Sequence, residues 1–306
     1  MTTSKNVDLT LDPISNKMTT PLRFSDYLEL TKPRVTLMVV ITMAFGFYLG
    51  ARGEMEWLLF LHAVIGTALV AGGTSALNQY VERDVDAKML RTKNRPLPTG
   101  RLQPQQALAF SLAISAAGIA QLMLAVNWLT ALLATLTLLS YVFLYTPLKQ
   151  KSSLSTVVGA IPGALPPLGG WTAARGELSL EGWVLFAILF LWQLPHFLAI
   201  AWIYREDYRR GGFPMLTVVD PEGDSAGRQI ISNCLALLPV SLLPTILGMA
   251  GRLYFVGALA LSLFFLGCGI AVMRHRTNAD VRRLLRASLV YLPVLLALMA
   301  LDKTTF

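Results

Sequence analysis

Apolar residues along this chain do not alternate with polar ones. They gather in long runs broken by short polar segments. Runs near the length that crosses a bilayer, roughly 17–25 residues, lie at 34–51, 57–79, 105–125, 128–146, 153–173, 181–204, 229–250, 253–273 and 284–301. The pattern predicts an all-α polytopic membrane protein with about nine transmembrane helices. The fifth run, GAIPGALPPLGG at its centre, is rich in Gly and Pro. Such residues break soluble helices, but inside a bundle neighbouring helices satisfy the freed backbone groups and the glycines permit close contact.

The pattern divides the chain into a polar tail over 1–30 and a single membrane domain over 31–306. Inside the domain, pseudo-repeats of four helices each are expected at about 31–150 and 151–275, followed by the ninth helix. The first 20 residues lack the apolar stretch of a signal peptide and read as a tail that stays in the cytosol. Of the 26 Lys and Arg residues, all but Arg52, Arg175, Arg252 and Lys303 fall on the side of the N-terminus when the spans alternate. The positive-inside rule then puts the N-terminus in the cytoplasm and the C-terminus outside, in a bacterial cytoplasmic (inner) membrane.

Composition agrees. The chain is 54% hydrophobic and 14% charged, against roughly 45–50% apolar and about 25% charged in soluble domains. A net charge of +8 would suit nucleic acid only if gathered on one water-exposed face; here it lies in short segments between apolar runs. Cys234 and Cys268 stand alone inside apolar stretches and offer no metal site.

Two cytoplasmic loops concentrate acids and bases: NQYVERDVDAKMLRTKNRPLPTG from Asn78, and YREDYRRGGFPML from Tyr204. If the second helix continues past the membrane surface, Asn78, Glu82 and Asp86 recur at i, i+4 and i+8 and share one face. Asp84 points elsewhere. An amide oxygen and two carboxylates are hard donors suited to Mg²⁺, which binds through one or two carboxylates plus substrate phosphates. Arg91 and Arg95 follow at i+4 spacing, ready to grip phosphate oxygens. The second loop supplies Arg205, Glu206 and Asp207. Together the two loops predict a clamp for a diphosphate that is held and stabilised as a leaving group.

At these residues the sequence resembles the UbiA superfamily of intramembrane prenyltransferases. The family's first acidic motif, N-x-x-x-D-x-x-x-D, is matched by Asn78, Glu82 and Asp86, with Glu in the middle place. Within the superfamily the similarity is to the haem-farnesylating branch, the haem O synthases. It is carried by the Asn78 stretch, by YTPLKQKSSLSTVVGAIPGALPPLGGW (145–171) and by WQLPHFLAIAWIYREDYRRGGFPM (192–215). The resemblance implies transfer of a farnesyl group from farnesyl diphosphate to a vinyl group of haem b, with addition of water and release of pyrophosphate. It implies a Mg²⁺–diphosphate role for Asn78, Glu82 and Asp86, phosphate contacts from Arg91, Arg95 and Lys149, and a second acidic cluster at Glu206 and Asp207, with Asp207 on the metal. Haem A synthase or terminal oxidase assembly is an implied partner. Quinone-type members carry a row of aspartates at the end of the sixth helix, where this chain has His196 and then Arg-Glu-Asp. That departure weakens a two-metal scheme and favours haem over a phenolic acceptor.

His196 lies eight residues before Tyr204, hence roughly 12 Å below the helix end at about 1.5 Å per residue. An ionisable side chain at that depth is a functional candidate, as a haem-iron ligand or as a base; the structural alternative is a packing histidine bonded to a carbonyl freed by Pro195. His62, toward the outer face, reads as structural, and His275 as solvated. Tyr141, Tyr145, Trp192, Phe197 and Trp202 are placed to line a prenyl slot and stabilise an allylic cation, with Tyr145 and Trp192 the chosen substrate contacts. The rival readings are a UbiA-type enzyme acting on a quinone precursor or chlorin, a secondary transporter, whose site would lie at the bilayer midplane, and an assembly factor indifferent to loss of Asp86.

Overall fold

A computed structural model describes residues 23–304; residues 1–22 of the expected tail lie outside the described residues. Among the described residues nine long helices follow one another: α1 Pro33–Gly50, α2 Trp57–Asp86, α3 Pro104–Ala125, α4 Trp128–Leu139, α5 Ser155–Arg175, α6 Leu180–Ile203, α7 Asp224–Ile246, α8 Arg252–His275 and α9 Asn278–Leu301. A π-helical segment, Ser140–Tyr145, and a short turn, Thr146–Leu148, prolong α4. Short helices at Phe24–Leu30, Arg205–Arg210 and Leu216–Val219 flank the long ones.

Eight of the nine, counting α4 with its extension, are long and apolar enough to cross a membrane. The exception is α5. It has the length, but Pro162, Pro166, Pro167 and its glycines stand where aliphatic residues would otherwise be. It can do without them because most of it is buried, packed against α1, α4 and α6 rather than lipid. At the α1–α5 crossing the backbones touch: a Cβ at Gly170 would stand 1.9 Å from the Met43 carbonyl oxygen, and one at Gly46 2.0 Å from that of Pro167. Only glycine allows that approach.

Neighbours in sequence pack as neighbours in space, from α1 on α2 through to α8 on α9, and α9 returns to α6 and α1. The largest apolar core joins α5 to α9. Two helices outrun the sequence expectation. At 30 residues, α2 is about 45 Å long and carries its last two turns beyond the roughly 30 Å apolar slab. Helix α9 begins at Asn278 rather than 284, because Thr277 caps it by accepting from Asp280 N and Arg282, Arg283 and Arg286 tolerate a helical interface through their long stems. The end of the expected tail is itself helical: Phe24–Leu30 docks on α2, where Gln79 donates to the Leu30 carbonyl at 2.9 Å, and Arg101 pairs with Asp26 and with Glu29.

Candidate active site

The extension of α2 turns the motif's periodicity into geometry. Asn78, Glu82 and Asp86 all face inward, 2%, 2% and 0% exposed, whereas the Asp84 side chain is 85% exposed and meets only Arg83. Burying two carboxylates is costly without partners, and each motif residue has its own cation. Lys32 Nζ donates to Asn78 Oδ1 at 2.8 Å, Lys149 Nζ lies 3.2 and 3.4 Å from the two Glu82 oxygens, and Arg95 Nη1 is 2.5 Å from Asp86 Oδ2. Asn78 also donates to Thr146 Oγ1 at 3.2 Å.

The partners come from three elements. Lys32 stands in a left-handed conformation at the start of α1, just ahead of Pro33. Arg95 comes from the turn-rich loop after α2. Thr146 and Lys149 follow the π segment of α4. A π turn holds one residue more than an α turn, so it rotates everything after it by about 100°. The rotation brings Thr146 to Asn78 and Lys149 to Glu82.

Electrostatics follow from this crowding. Burial works against the Lys149 charge, yet the Glu82 carboxylate outweighs it and holds the ammonium above the ordinary lysine range. The Lys149 ammonium also lies over the rings of Phe213, at 4.5 Å, and Tyr208, at 5.9 Å, a favourable arrangement for a cation. Lys32, half-buried, is pushed down to about 7, first by burial and then by Arg95; Glu82 and Asp86 pull the other way, and Lys149 adds to the repulsion.

The second loop reaches the first through Asp207. Asp207 accepts from the backbone N–H groups of Leu90 at 3.3 Å and Arg91 at 3.2 Å and meets Arg210 at 3.3 Å. It braces the loop after α2. Glu206, 60% exposed, is bound by Arg209 at 2.8 Å, and Arg205 approaches it at 3.9 Å. Among the described residues no three His, Cys, Asp or Glu side chains gather as a metal-holding group, so Asp207 stands apart from Glu82 and Asp86. Arg91 is exposed, its guanidinium 5.7 Å from the Tyr204 ring. Tyr145 packs on the Gly159 backbone and beside Tyr141, their ring centroids 4.9 Å apart.

His196 and Trp192 face α9. Trp192 Nε1 donates to the Ser288 carbonyl at 2.9 Å, and His196 Nδ1 lies 2.8 Å from Ser288 Oγ; the partner is a hydroxyl on another helix, not a carbonyl freed by Pro195. Sequence reasoning missed Lys32, Thr146 and Ser288. Only Lys32 left a signal: a basic residue just ahead of the first span, counted there for orientation alone.

The donor set fits a hard divalent ion. Asp86 Oδ1 is buried without a hydrogen-bond partner, beside a second carboxylate and an amide oxygen, which is the oxygen chemistry Mg²⁺ takes.

Known proteins resemble this chain in sequence and in fold. A protoheme IX farnesyltransferase of Solibacter usitatus (strain Ellin6076) is 53% identical over 287 residues, covering 91% of this chain and 98% of that protein. Among solved structures, a digeranylgeranylglyceryl phosphate synthase superposes with a TM-score of 0.78 at 16% identity, covering 91% of this chain and 97% of its own. A UbiA homologue from Archaeoglobus fulgidus bound to GPP and Mg²⁺ gives 0.66 at 17%, covering 90% and 99%; both share the fold. The model of the UbiA prenyltransferase family matches residues 39–292, a span that holds every motif residue of the buried row, and the chain is a multi-pass membrane protein of that family.

Proposed function

We propose that this protein transfers the farnesyl group of farnesyl diphosphate to a vinyl group of haem b, with addition of water, giving haem O and pyrophosphate. The observation that carries the reading is the buried row Asn78–Glu82–Asp86, each member paired with a different cationic side chain. The relatives named for protoheme IX farnesyl transfer, 53% and 46% identical over nearly their whole length, supply the acceptor.

Asn78, Glu82 and Asp86 would hold Mg²⁺, which when bound supplies positive charge against the diphosphate. Lys149, Arg95, Lys32 and Arg91 are the groups that take the phosphate oxygens, and bidentate Arg contacts orient the leaving group. The C1–O bond of the allylic diphosphate breaks with its electron pair on pyrophosphate. The vinyl π pair forms the new C–C bond, and the cation left beside the porphyrin ring is captured by water, which loses a proton. The apolar helices below the row exclude water from the allylic cation, and Tyr145 borders that space. His196 and Trp192, on α6, would be the acceptor-side groups, with His196 as iron ligand or as base.

The distribution of Lys and Arg supports an active site on the cytoplasmic side of a bacterial inner membrane, with N-terminus inside and C-terminus outside. Product delivery to haem A synthase or an oxidase in assembly belongs to the same reading. The test is product analysis. Purified protein in lipid, given haem b, farnesyl diphosphate and Mg²⁺, is expected to yield a haem heavier by farnesyl plus water, with the hydroxyl oxygen drawn from labelled water. Unchanged haem from folded protein that binds farnesyl diphosphate removes haem as the acceptor.

A further inference from the structure

Ser288 is fully buried in α9 and holds two side chains of α6 at once. Its carbonyl accepts from Trp192 Nε1 at 2.9 Å, and its hydroxyl meets His196 Nδ1 at 2.8 Å. Trp192 and His196 lie one helical turn apart, their rings 5.2 Å between centroids and 19° from parallel. The stack is therefore pinned at both rings to one residue.

The hydroxyl has a second contact, which bears on its role. Ser288 Oγ lies 2.7 Å from the Leu285 carbonyl oxygen. A carbonyl can only accept, and a serine hydroxyl has a single proton to give. With that proton given to Leu285, the Ser288 oxygen accepts from His196 and Nδ1 carries the hydrogen, the one arrangement that satisfies both contacts at once. In a neutral imidazole the other nitrogen then bears the lone pair. No other described residue hydrogen-bonds the ring.

We infer that Ser288 is a positioning residue that fixes His196 as its Nδ1–H tautomer, so that the Nε2 lone pair is presented to the iron of the haem acceptor. The inference rests on the proposed haem reading for its ligand and on the two Ser288 hydrogen bonds for its geometry. A donor hydrogen bond at the far nitrogen is the usual device for orienting a ligating histidine and raising its basicity, and removing it typically weakens metal binding by about 10–100-fold. The Trp192 stack keeps the ring from turning about its hydrogen bond.

Ferric haem b titrated into the intact protein in lipid, without farnesyl diphosphate, gives the direct test by absorption and EPR spectra. Wild type is expected to show an imidazole-ligated iron. His196→Gly is expected to lose that signature and regain it with added imidazole. Ser288→Ala is expected to bind haem about 10–100-fold more weakly, while Ser288→Thr, which keeps the hydroxyl, stays near wild type. Nitrogen NMR of ¹⁵N-histidine protein reports the tautomer without haem, and the chain has only three histidines to assign. Nδ1–H in wild type, shifting toward Nε2–H in Ser288→Ala, supports the inference. A His196 tautomer unchanged in Ser288→Ala, or a haem spectrum unchanged in His196→Gly, overturns it. Wild type that shows the Nδ1–H tautomer but binds no haem overturns the haem reading and the ligand role together, leaving only the tautomer assignment.

Discussion

Lys149 Nζ lies 3.2 Å from Glu82 Oε1, and this buried pair joins residues 67 positions apart across the mouth of the bundle. The Glu82 side chain is 3% exposed and that of Lys149 9%, so neither charge can turn to water if the other is removed. Removing one partner of such a pair costs about 3–5 kcal/mol, whereas removing both is often nearly neutral. Lys149→Met is therefore expected to lower thermal stability in detergent sharply, and adding Glu82→Gln is expected to restore most of it. Activity should stay lost in the double variant. Restored activity there would show that the pair serves packing only.

The face assignment on α2 separates two aspartates two residues apart. Asp86→Asn removes a buried carboxylate that has one oxygen unpaired and is expected to lower kcat/KM by about 10²–10³-fold, the usual cost of losing one electrostatic contact to the transition state. Asp84→Asn, on the exposed side, is expected to stay within about twofold of wild type at roughly ±0.5 kcal/mol in stability. Steady-state kinetics with both substrates checks the contrast.

The π segment predicts a deletion phenotype. Phe143 is 67% exposed, and its side chain is dispensable to the core. Deleting it should return Ser140–Tyr145 to α geometry with Lys149 and Thr146 left in place, because losing one residue cancels losing the extra residue of the turn. That variant is expected to fold and still bind farnesyl diphosphate by titration calorimetry, whereas inserting one alanine after Phe143 should turn Lys149 and Thr146 away by about 100° and abolish binding. Phe143→Ala, which keeps the register, should bind normally.

Close packing at α1–α5 predicts a cost with no chemical component. Gly170→Ala would drive a methyl group to 1.9 Å from the Met43 carbonyl. Overpacking of this kind costs about 1–3 kcal/mol or more, and it should appear as a lower unfolding midpoint. At Gly169, where a Cβ would meet nothing within 4 Å, alanine should be tolerated.

What the sequence made legible was what depends on local period. The alignment of Asn78, Glu82 and Asp86 follows from 3.6 residues per turn once α2 is a helix, and the nine long elements follow from runs of apolar residues. The partners of those side chains were not legible, because they depend on packing. Lys32 is 46 positions from Asn78, and nothing in its neighbourhood marks it as more than a flanking charge. The π segment is equally silent: SYVFLY reads as ordinary apolar helix, and only the contacts of Thr146 and Lys149 reveal the extra residue in the turn. Asp207 is a further case: its acidic surroundings suggest a metal donor, and the brace it makes on the N–H groups of Leu90 and Arg91 has no local signal. Glu206 has Arg209 one turn away, and an i, i+3 partner on its own helix wins over a distant site.

The most direct measurement offers the protein both kinds of acceptor together: haem b and 4-hydroxybenzoate, with farnesyl diphosphate and Mg²⁺, followed by mass analysis of every prenylated product. The account predicts a single product, haem gaining farnesyl plus water, formed about 10²–10³-fold more slowly by Asp86→Asn. Prenylated aromatic acid with haem unchanged, or a haem product formed at the wild-type rate by Asp86→Asn, would contradict it.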